Sequence, residues 1–343
     1  MTRRPKREVT IYDVARDAGV SFGTVSRVLN GRKDVSPKTR AAVLESIRRL
    51  NYVQHPFARG LARNATGLIG FVSGGSRSSS DQHAYFVLEL QRGILKGAGE
   101  YGYNVVIFDP DDYQAEAFGS FARLVEGLII RGRVGKDFLE DVRVRFPIVG
   151  INNRDVKPNL SVDHHSGAEQ AIEHLVQLGH RRIAMIPGAG AEQSPARVER
   201  ESAYRSVLQR HGIEYDQELV SGVIGLNERA KLHATLDSFF RLSNRPTAIF
   251  VAGDLPALET MRYLTQRGFH VPRDVSVVGS TDLPISLLAN PPLTTVHVPL
   301  EQIGGRAAAL LKRMIEEPDE EVADELFTSH LVVRESTAPP PAR

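Results

Sequence analysis

Residues 9–31 read VTIYDVARDAGVSFGTVSRVLNG. Ile11, Val14, Ala15 and Ala18 recur at i, i+3, i+4 and i+7, the apolar stripe of a short helix. Thr10 can cap that helix, with Asp13 three residues on. Gly19 can end it, because glycine accepts the left-handed C′ conformation. Only Val20 separates that end from Ser21, a cap for a second helix. Two helices joined so tightly pack at a steep angle, as in a helix-turn-helix. In the second helix Val25, Val28 and Leu29 share one face, while Gly23, Arg27 and Asn30 point the other way. Phe22 and Ser26 fall towards the flanks. A third helix opens at Ser36-Pro37, a cap followed by proline at the first helical position. Val43, Leu44, Ile47 and Leu50 give it an apolar face.

The outward face of the second helix is small, polar and centred on one arginine, which suits a helix in the DNA major groove. Arg27 can donate two bonds to guanine O6 and N7, and Phe22 can rest on a thymine methyl. Thr24 and Ser26 can bond phosphates, which fix register rather than sequence. Charge supports this. The 343 residues carry a formal net charge of only +2. Residues 1–66 hold 14 Lys and Arg against 5 Asp and Glu, a net of +9. The other 277 hold 29 against 36, a net of −7. A basic head on an acidic body points to a polyanionic partner for the head.

The run 9–31 resembles the helix-turn-helix signature of the lactose-repressor (LacI/GalR) family. The likeness continues through residues 35–40, VSPKTR, and more loosely along nearly the whole chain. It implies that Tyr12, Ser21, Phe22, Thr24, Ser26, Arg27 and Asn30 contact DNA. Gly23 departs from relatives that place a base-reading side chain there, so fewer direct base contacts are expected. Residues 53–66, VQHPFARGLARNAT, can form about two helical turns after Pro56. So short a helix is marginal in water, and Gly60 in its interior costs a further ~0.5–1 kcal/mol. In the resembling family this segment is the hinge helix, which orders on DNA. Ala58-Arg59-Gly60-Leu61 matches the family's Ala-Arg-Ser-Leu. The resemblance therefore gives Leu61 as a minor-groove wedge, which kinks the duplex, and Arg59 as a contact beside it.

From Gly67 onward, strand-like runs alternate with helical stretches. The runs are 67–72, 104–109, 127–132, 147–152, 182–187, 219–224, 248–253 and 275–280; helical patterns cover 85–101, 166–178, 200–211 and 255–267. That alternation argues for parallel sheets covered by helices. At this length two lobes are expected, in agreement with the family's effector domain, which resembles periplasmic (type I) sugar-binding proteins. The expected α/β chain thus has a helix-turn-helix DNA-binding domain at 1–55 and a hinge helix at 56–66. A two-lobed effector-binding and dimerisation domain follows at 67–336, then a disordered tail at 337–343.

Open parallel sheets bind ligands beyond the carboxyl ends of their strands. Asn152, Asp254 and Thr281 sit at such ends. Tyr85 and Phe86 follow a Ser- and Gly-rich loop after the first strand, and match the family's pocket aromatics. Residues 200–204, RESAY, resemble its effector-arginine segment, which makes Arg200 the leading effector contact. Each has a plainer reading: Asp254 as a helix cap, Tyr85 and Phe86 as core, Arg200 as a surface ion pair. The family's Asn-Asp pair at the cleft is Gly253-Asp254 here, its late acidic residue is Thr281, and its mid-chain aspartate is Asn152. The effector is then an unusual or smaller sugar, a phosphorylated or otherwise anionic molecule, or not a sugar. Fewer acids leave Arg200 less neutralised, which tilts the balance towards an anion-bearing ligand.

Other classes find less support. Zero cysteines exclude disulfides, thiolate metal sites and cysteine nucleophiles. Gly188-Ala-Gly190 lacks the third glycine of a dinucleotide fingerprint, with Gln193 in its place. His164, His165 and His174 lack metal-site spacing and read as surface or capping histidines. No cofactor or metal is expected, and no enzyme. No apolar run approaches the ~20 residues that span a membrane. The basic start has no apolar core behind it, so cytoplasmic location is expected rather than secretion. The combined expectation is a transcriptional repressor, acting as a homodimer on near-palindromic operator DNA under a sugar-like or sugar-phosphate effector. The absence of a C-terminal leucine heptad favours a dimer over a tetramer. The rival is a solute-binding receptor with the same body and no DNA function.

Overall fold

The structure, a computed structural model, describes residues 9–29, 32, 34–52, 66–74, 81–108, 124–188, 194–221 and 228–342. Asn30, Arg59 and Leu61, with the expected hinge helix, lie outside the described residues. The chain divides into two compact units: 1–67 with 124–126, and 68–123 with 127–343.

In the first unit, helix α1 (Ile11–Asp17) carries the expected capping box. The Thr10 side chain accepts from Asp13 N, and Asp13 Oδ2 accepts from Thr10 N at 2.9 Å. Gly19 turns the chain with φ of 64°. In α2 (Phe22–Leu29), Ser21 Oγ accepts from Thr24 N at 3.2 Å. In α3 (Pro37–Leu50), Ser36 is the cap. Val14, Ala15, Val25, Val28 and Val43 form the core, with Ile11, Val20, Leu29, Ile47 and Leu50 packed against it. One expected core position is wrong. Leu44 is exposed, because it lies a further 100° round α3 from Val43, and Ser46 is buried on the other flank. Ser46 Oγ donates to Asp17, which also pairs with Arg49 at 2.6 Å. Arg49 and then Ser46 hold the Asp17 carboxyl below its usual range. This polar clasp ties α1 to α3.

The second unit contains two sheets. The first, in order β10-β5-β4-β3-β1-β2, is parallel throughout. Its strands are β1 (Leu68–Ser73), β2 (Asn104–Phe108), β3 (Leu128–Arg131), β4 (Ile148–Ile151), β5 (Asn159–Val162) and β10 (Glu325–Phe327). The second runs β11-β9-β8-β7-β6. It comprises β6 (Ile183–Ile186), β7 (Ala248–Val251), β8 (Ser276–Thr281), β9 (Thr294–His297) and β11 (His330–Val332), the last antiparallel. Strands β4 and β7, inside their sheets, and even the edge strand β6 are buried at every residue, as sheets covered on both faces require.

Helices α4 (Asp81–Glu100) and α11 (Leu300–Glu316) share one core with the first sheet, through Leu90, Ile94, Ile303 and Leu311. α5 (Lys136–Arg143) places Phe138 against Phe108, ring centroids 6.0 Å apart. α6 (His164–Gln177) and α7 (Pro195–Arg210) form a second core with β6–β9. α8 (Arg229–Arg241) and α9 (Asp254–Gln266) form a third with β6–β8. A short α10 (Pro284–Leu287) precedes β9.

The strand expected at 219–224 is absent where described. Gln217–Leu219 is a 3-10 turn, and only Val220 makes a bridge, to Met185. Arg200 does not open its helix but lies inside α7, which begins at Pro195 behind Ser194. The tail expected to be disordered from 337 is anchored at its first two residues. Thr337 Oγ1 bonds His174 Nε2 at 2.9 Å, and the Ala338 carbonyl accepts from Ser276 Oγ at 3.0 Å. Proline richness suggested disorder; these hydrogen bonds outweigh it.

Candidate DNA-reading face and effector cavity

On α2 the burial of Val25 and Val28 turns Arg27 outward. Arg27 Nε donates to Gly23 O at 3.2 Å, one turn back, and its guanidinium reaches Asp34 at 3.7 Å. Both partners of that ion pair are exposed, so it contributes little, and a guanine edge can replace it. Tyr12 and Phe22 are exposed and stacked, ring centroids 5.2 Å apart. The pair forms an exposed apolar contact between α1 and the first residue of α2. Thr24 Oγ1 lies 2.9 Å from Ser21 Oγ, so these two hydroxyls order the start of α2. A side chain added at Gly23 would meet only Ser21 Oγ at 3.8 Å and Arg27 at 3.9 Å. The structure therefore places Ser21, Phe22, Thr24 and Arg27 on or at the start of α2, with Tyr12 stacked against Phe22.

In the second unit, the carboxyl ends of both sheets border a cavity of about 420 Å³. Gly74 and Arg131 line it from the first sheet, with Asn152 and Val162; Gly188 and Ala252 line it from the second. This is where open parallel sheets hold ligands. Arg200 enters from α7. It donates to Pro187 O at 3.2 Å and to His164 Nδ1 at 3.2 Å. Burial pulls its guanidinium down to about 10, so it stays charged at neutral pH. His164 opens α6 behind its cap Asp163. Burial first, then the Arg200 charge, holds its imidazole well below 6.5. The ring is thus neutral. Because Nδ1 accepts from Arg200, the proton is on Nε2, which remains a donor.

Arg131, the last residue of β3, faces the cavity from the other sheet. Its guanidinium stands 5.1 Å from the centroid of the Phe86 ring, and burial pulls it down to about 10. Asn152 has φ of 48°, and its Oδ1 accepts from Val162 N at 3.1 Å. Its amide nitrogen is a donor at the cavity lining.

Phe86, Asn152 and Arg200 are thus brought together as expected, and three other residues are not. Tyr85 is exposed and outside the cavity lining, one helical step of 100° from Phe86. Asp254 is wholly buried. It accepts from Leu283 N at 2.6 Å and Thr295 Oγ1 at 2.5 Å. Burial raises its pKa against those hydrogen bonds. It ties the start of α9 to the loop after β8 and to β9 instead of facing a ligand. Thr281 lies with His297 at a second cavity of about 620 Å³ that α4 and α11 also border. Conversely, Arg131 and His164 were missed. Arg131 was legible as the charged end of an apolar strand. His164 was set aside as a surface or capping residue, because spacing does not reveal its hydrogen bond with Arg200.

A three-helix unit with an outward reading helix, followed by a two-sheet receptor with a polar cavity, defines a DNA-binding transcriptional regulator. Residues 10–55 match the bacterial regulatory proteins of the lacI family, and 172–337 match a periplasmic binding protein-like domain. Catabolite control protein A of Priestia megaterium is 32% identical, covering 89% of this chain and 92% of that protein. The HTH-type transcriptional regulator CelR of Thermobifida fusca is 33% identical, covering 96% and 99%. The Lac repressor dimer bound to operator and the anti-inducer ONPF superposes with a TM-score of 0.78 at 29% identity, covering 97% and 100%. The chain belongs to the lacI family of bacterial regulatory proteins.

Proposed function

We propose that this protein is a repressor that binds a near-palindromic operator as a homodimer, and that a sugar-like metabolite between the two sheets sets its operator affinity. Residues 1–55 read DNA, 56–66 form the hinge, and 67–336 sense the effector. The observation that carries this reading is Arg27 turned outward on α2, within a family-matching unit. Arg27 reads a guanine; Tyr12 and Phe22 pack on sugar and methyl groups; Ser21, Thr24, Ser26 and Asn30 hold phosphates or base edges; Arg59 and Leu61 serve the minor groove. Phe86, Asn152 and Arg200, joined by Arg131 and His164, hold the effector. The chain works in the cytoplasm, where its DNA is, and as a binding protein rather than an enzyme.

Gel shifts with promoter fragments test this. A discrete complex that survives excess unrelated DNA is expected; indifference to sequence contradicts it and favours the solute-receptor alternative. Coupling between the sites is reciprocal. Once an effector is found, operator DNA must change its calorimetric affinity by the same factor that the effector changes operator affinity.

A further inference from the structure

The reading face of the first unit carries an acidic group. Arg27 Nη1 lies 3.7 Å from Asp34 Oδ2, and both side chains are exposed. Asp34 stands between α2 and α3, two residues ahead of the cap Ser36. A carboxylate there opposes the phosphate attraction that the +9 head supplies, so general DNA binding does not account for it. The geometry of the pair does. Arg27 Nε donates to Gly23 O at 3.2 Å, which leaves Nη1 and Nη2 as its reading end. Nη2 lies over Gly23, where an added Cβ would stand 3.9 Å from it, and Nη1 is on the side of Asp34. At 3.7 Å that pair is longer than a hydrogen bond, so Nη1 keeps its N–H groups for a base.

The order of groups is then Nη2, Nη1, Oδ2: donor, donor, acceptor. The major-groove edge of a G·C pair runs guanine N7, guanine O6, cytosine N4–H2: acceptor, acceptor, donor. Guanine O6 and cytosine N4 are held about 2.9 Å apart by their own hydrogen bond, close to the spacing of Nη1 and Oδ2. We propose that Asp34 is a specificity-determining residue, which accepts from the N4 amine of the cytosine paired with the guanine that Arg27 reads. With an A·T pair in that place, Nη1 meets the adenine N6 amine and Asp34 meets thymine O4. Donor then faces donor and acceptor faces acceptor. Gly23 offers α2 no side chain of its own for this edge, and Asp34 supplies the second base contact from outside the helix. The assignment rests on the reading of α2 as the DNA-reading helix.

The test uses the full chain and the site it selects from random DNA, with each base pair exchanged in turn in anisotropy titrations of the parent, Arg27→Ala and Asp34→Ala. Both variants are expected to relax the same G·C position, Asp34→Ala by about threefold to tenfold. Asp34→Ala should also bind a scrambled control at least as tightly as the parent, since it removes a charge that repels phosphates. Replacing the cytosine of that pair with 2-pyrimidinone, which lacks the N4 amine, should weaken the parent by a similar factor and Asp34→Ala by less. The proposal is overturned if Asp34→Ala keeps the parent's preference at every position, or relaxes a different position from Arg27→Ala. Equal losses of parent and variant on the 2-pyrimidinone site also overturn it, and reduce Asp34 to holding Arg27 in place. Failure of the parent to select any common site is a separate outcome: it overturns the reading of α2, and this assignment with it.

Discussion

His164 shows how one residue acquires a role from its surroundings. Flanked by His165 in the sequence, it looks like a surface histidine; in the fold it is half-buried beside Arg200 and kept neutral. Its folded pKa is depressed below 6.5, so the unfolded chain binds its proton more readily. The stability this contributes is fully present above pH 6.5 and is lost as pH falls below it. Burial depresses His174 and His180 in the same direction. Melting temperatures from pH 7.5 to 5 should therefore fall, and less steeply in His164→Gln; an identical slope in the variant contradicts the assignment. Asp254 runs the other way. Its folded pKa is raised above 3.8, so its contribution is fully present below 3.8 and declines as pH rises through the folded value. Asp254→Ala orphans Leu283 N and should lose about 1–3 kcal/mol in urea unfolding. Asp254→Asn keeps a carbonyl acceptor and should lose less.

At the scale of elements, α4 and α11 meet through glycines. A Cβ on Gly93 would lie 2.1 Å from Glu301 O, and one on Gly304 would lie 2.3 Å from Leu90 O. The helices approach this closely because neither presents a side chain there. Gly93→Ala should cost about 1–3 kcal/mol or more of unfolding free energy. Gly99→Ala, with nothing within 4 Å, should gain about 0.5–1 kcal/mol. Equal effects of the two in denaturant titrations contradict the close approach. The same glycines explain why α11 escaped the sequence reading, since Gly304-Gly305 interrupts its apolar period. Long apolar strands such as β1 and β8 were legible because they are buried on both faces. β5, β9, β10 and β11 were not, because polar residues such as Asn159, Thr294, Thr295, Glu325 and His330 interrupt their apolar pattern. The helices of the first unit were read almost to the residue from caps: Thr10, Ser21 and Ser36 all cap where expected. In the cavity, by contrast, residues at strand ends were easy to nominate and hard to orient. Asn152 faces it, while Asp254 at the equivalent place beyond β7 turns into the core.

For the whole molecule, the asymmetry of charge between head and body acquires a physical reading. On the proposed reading, the head's positive charge drives general, salt-sensitive attraction to DNA, and the outward face of α2 converts attraction into selection. These two terms are separable. If Arg27 reads a guanine as proposed, losing it should cost about 1–3 kcal/mol of discrimination at one base pair and leave phosphate contacts intact. The most direct measurement is selection of binding sites from random DNA, followed by anisotropy titrations of the selected site and a scrambled control over a range of salt. The account predicts a near-palindromic winner. Arg27→Ala should bind the scrambled control like the parent, with the same salt slope, while losing roughly tenfold or more of its preference for the winner. Enrichment of no common site, or an Arg27→Ala protein that keeps the parent's preference, would contradict it.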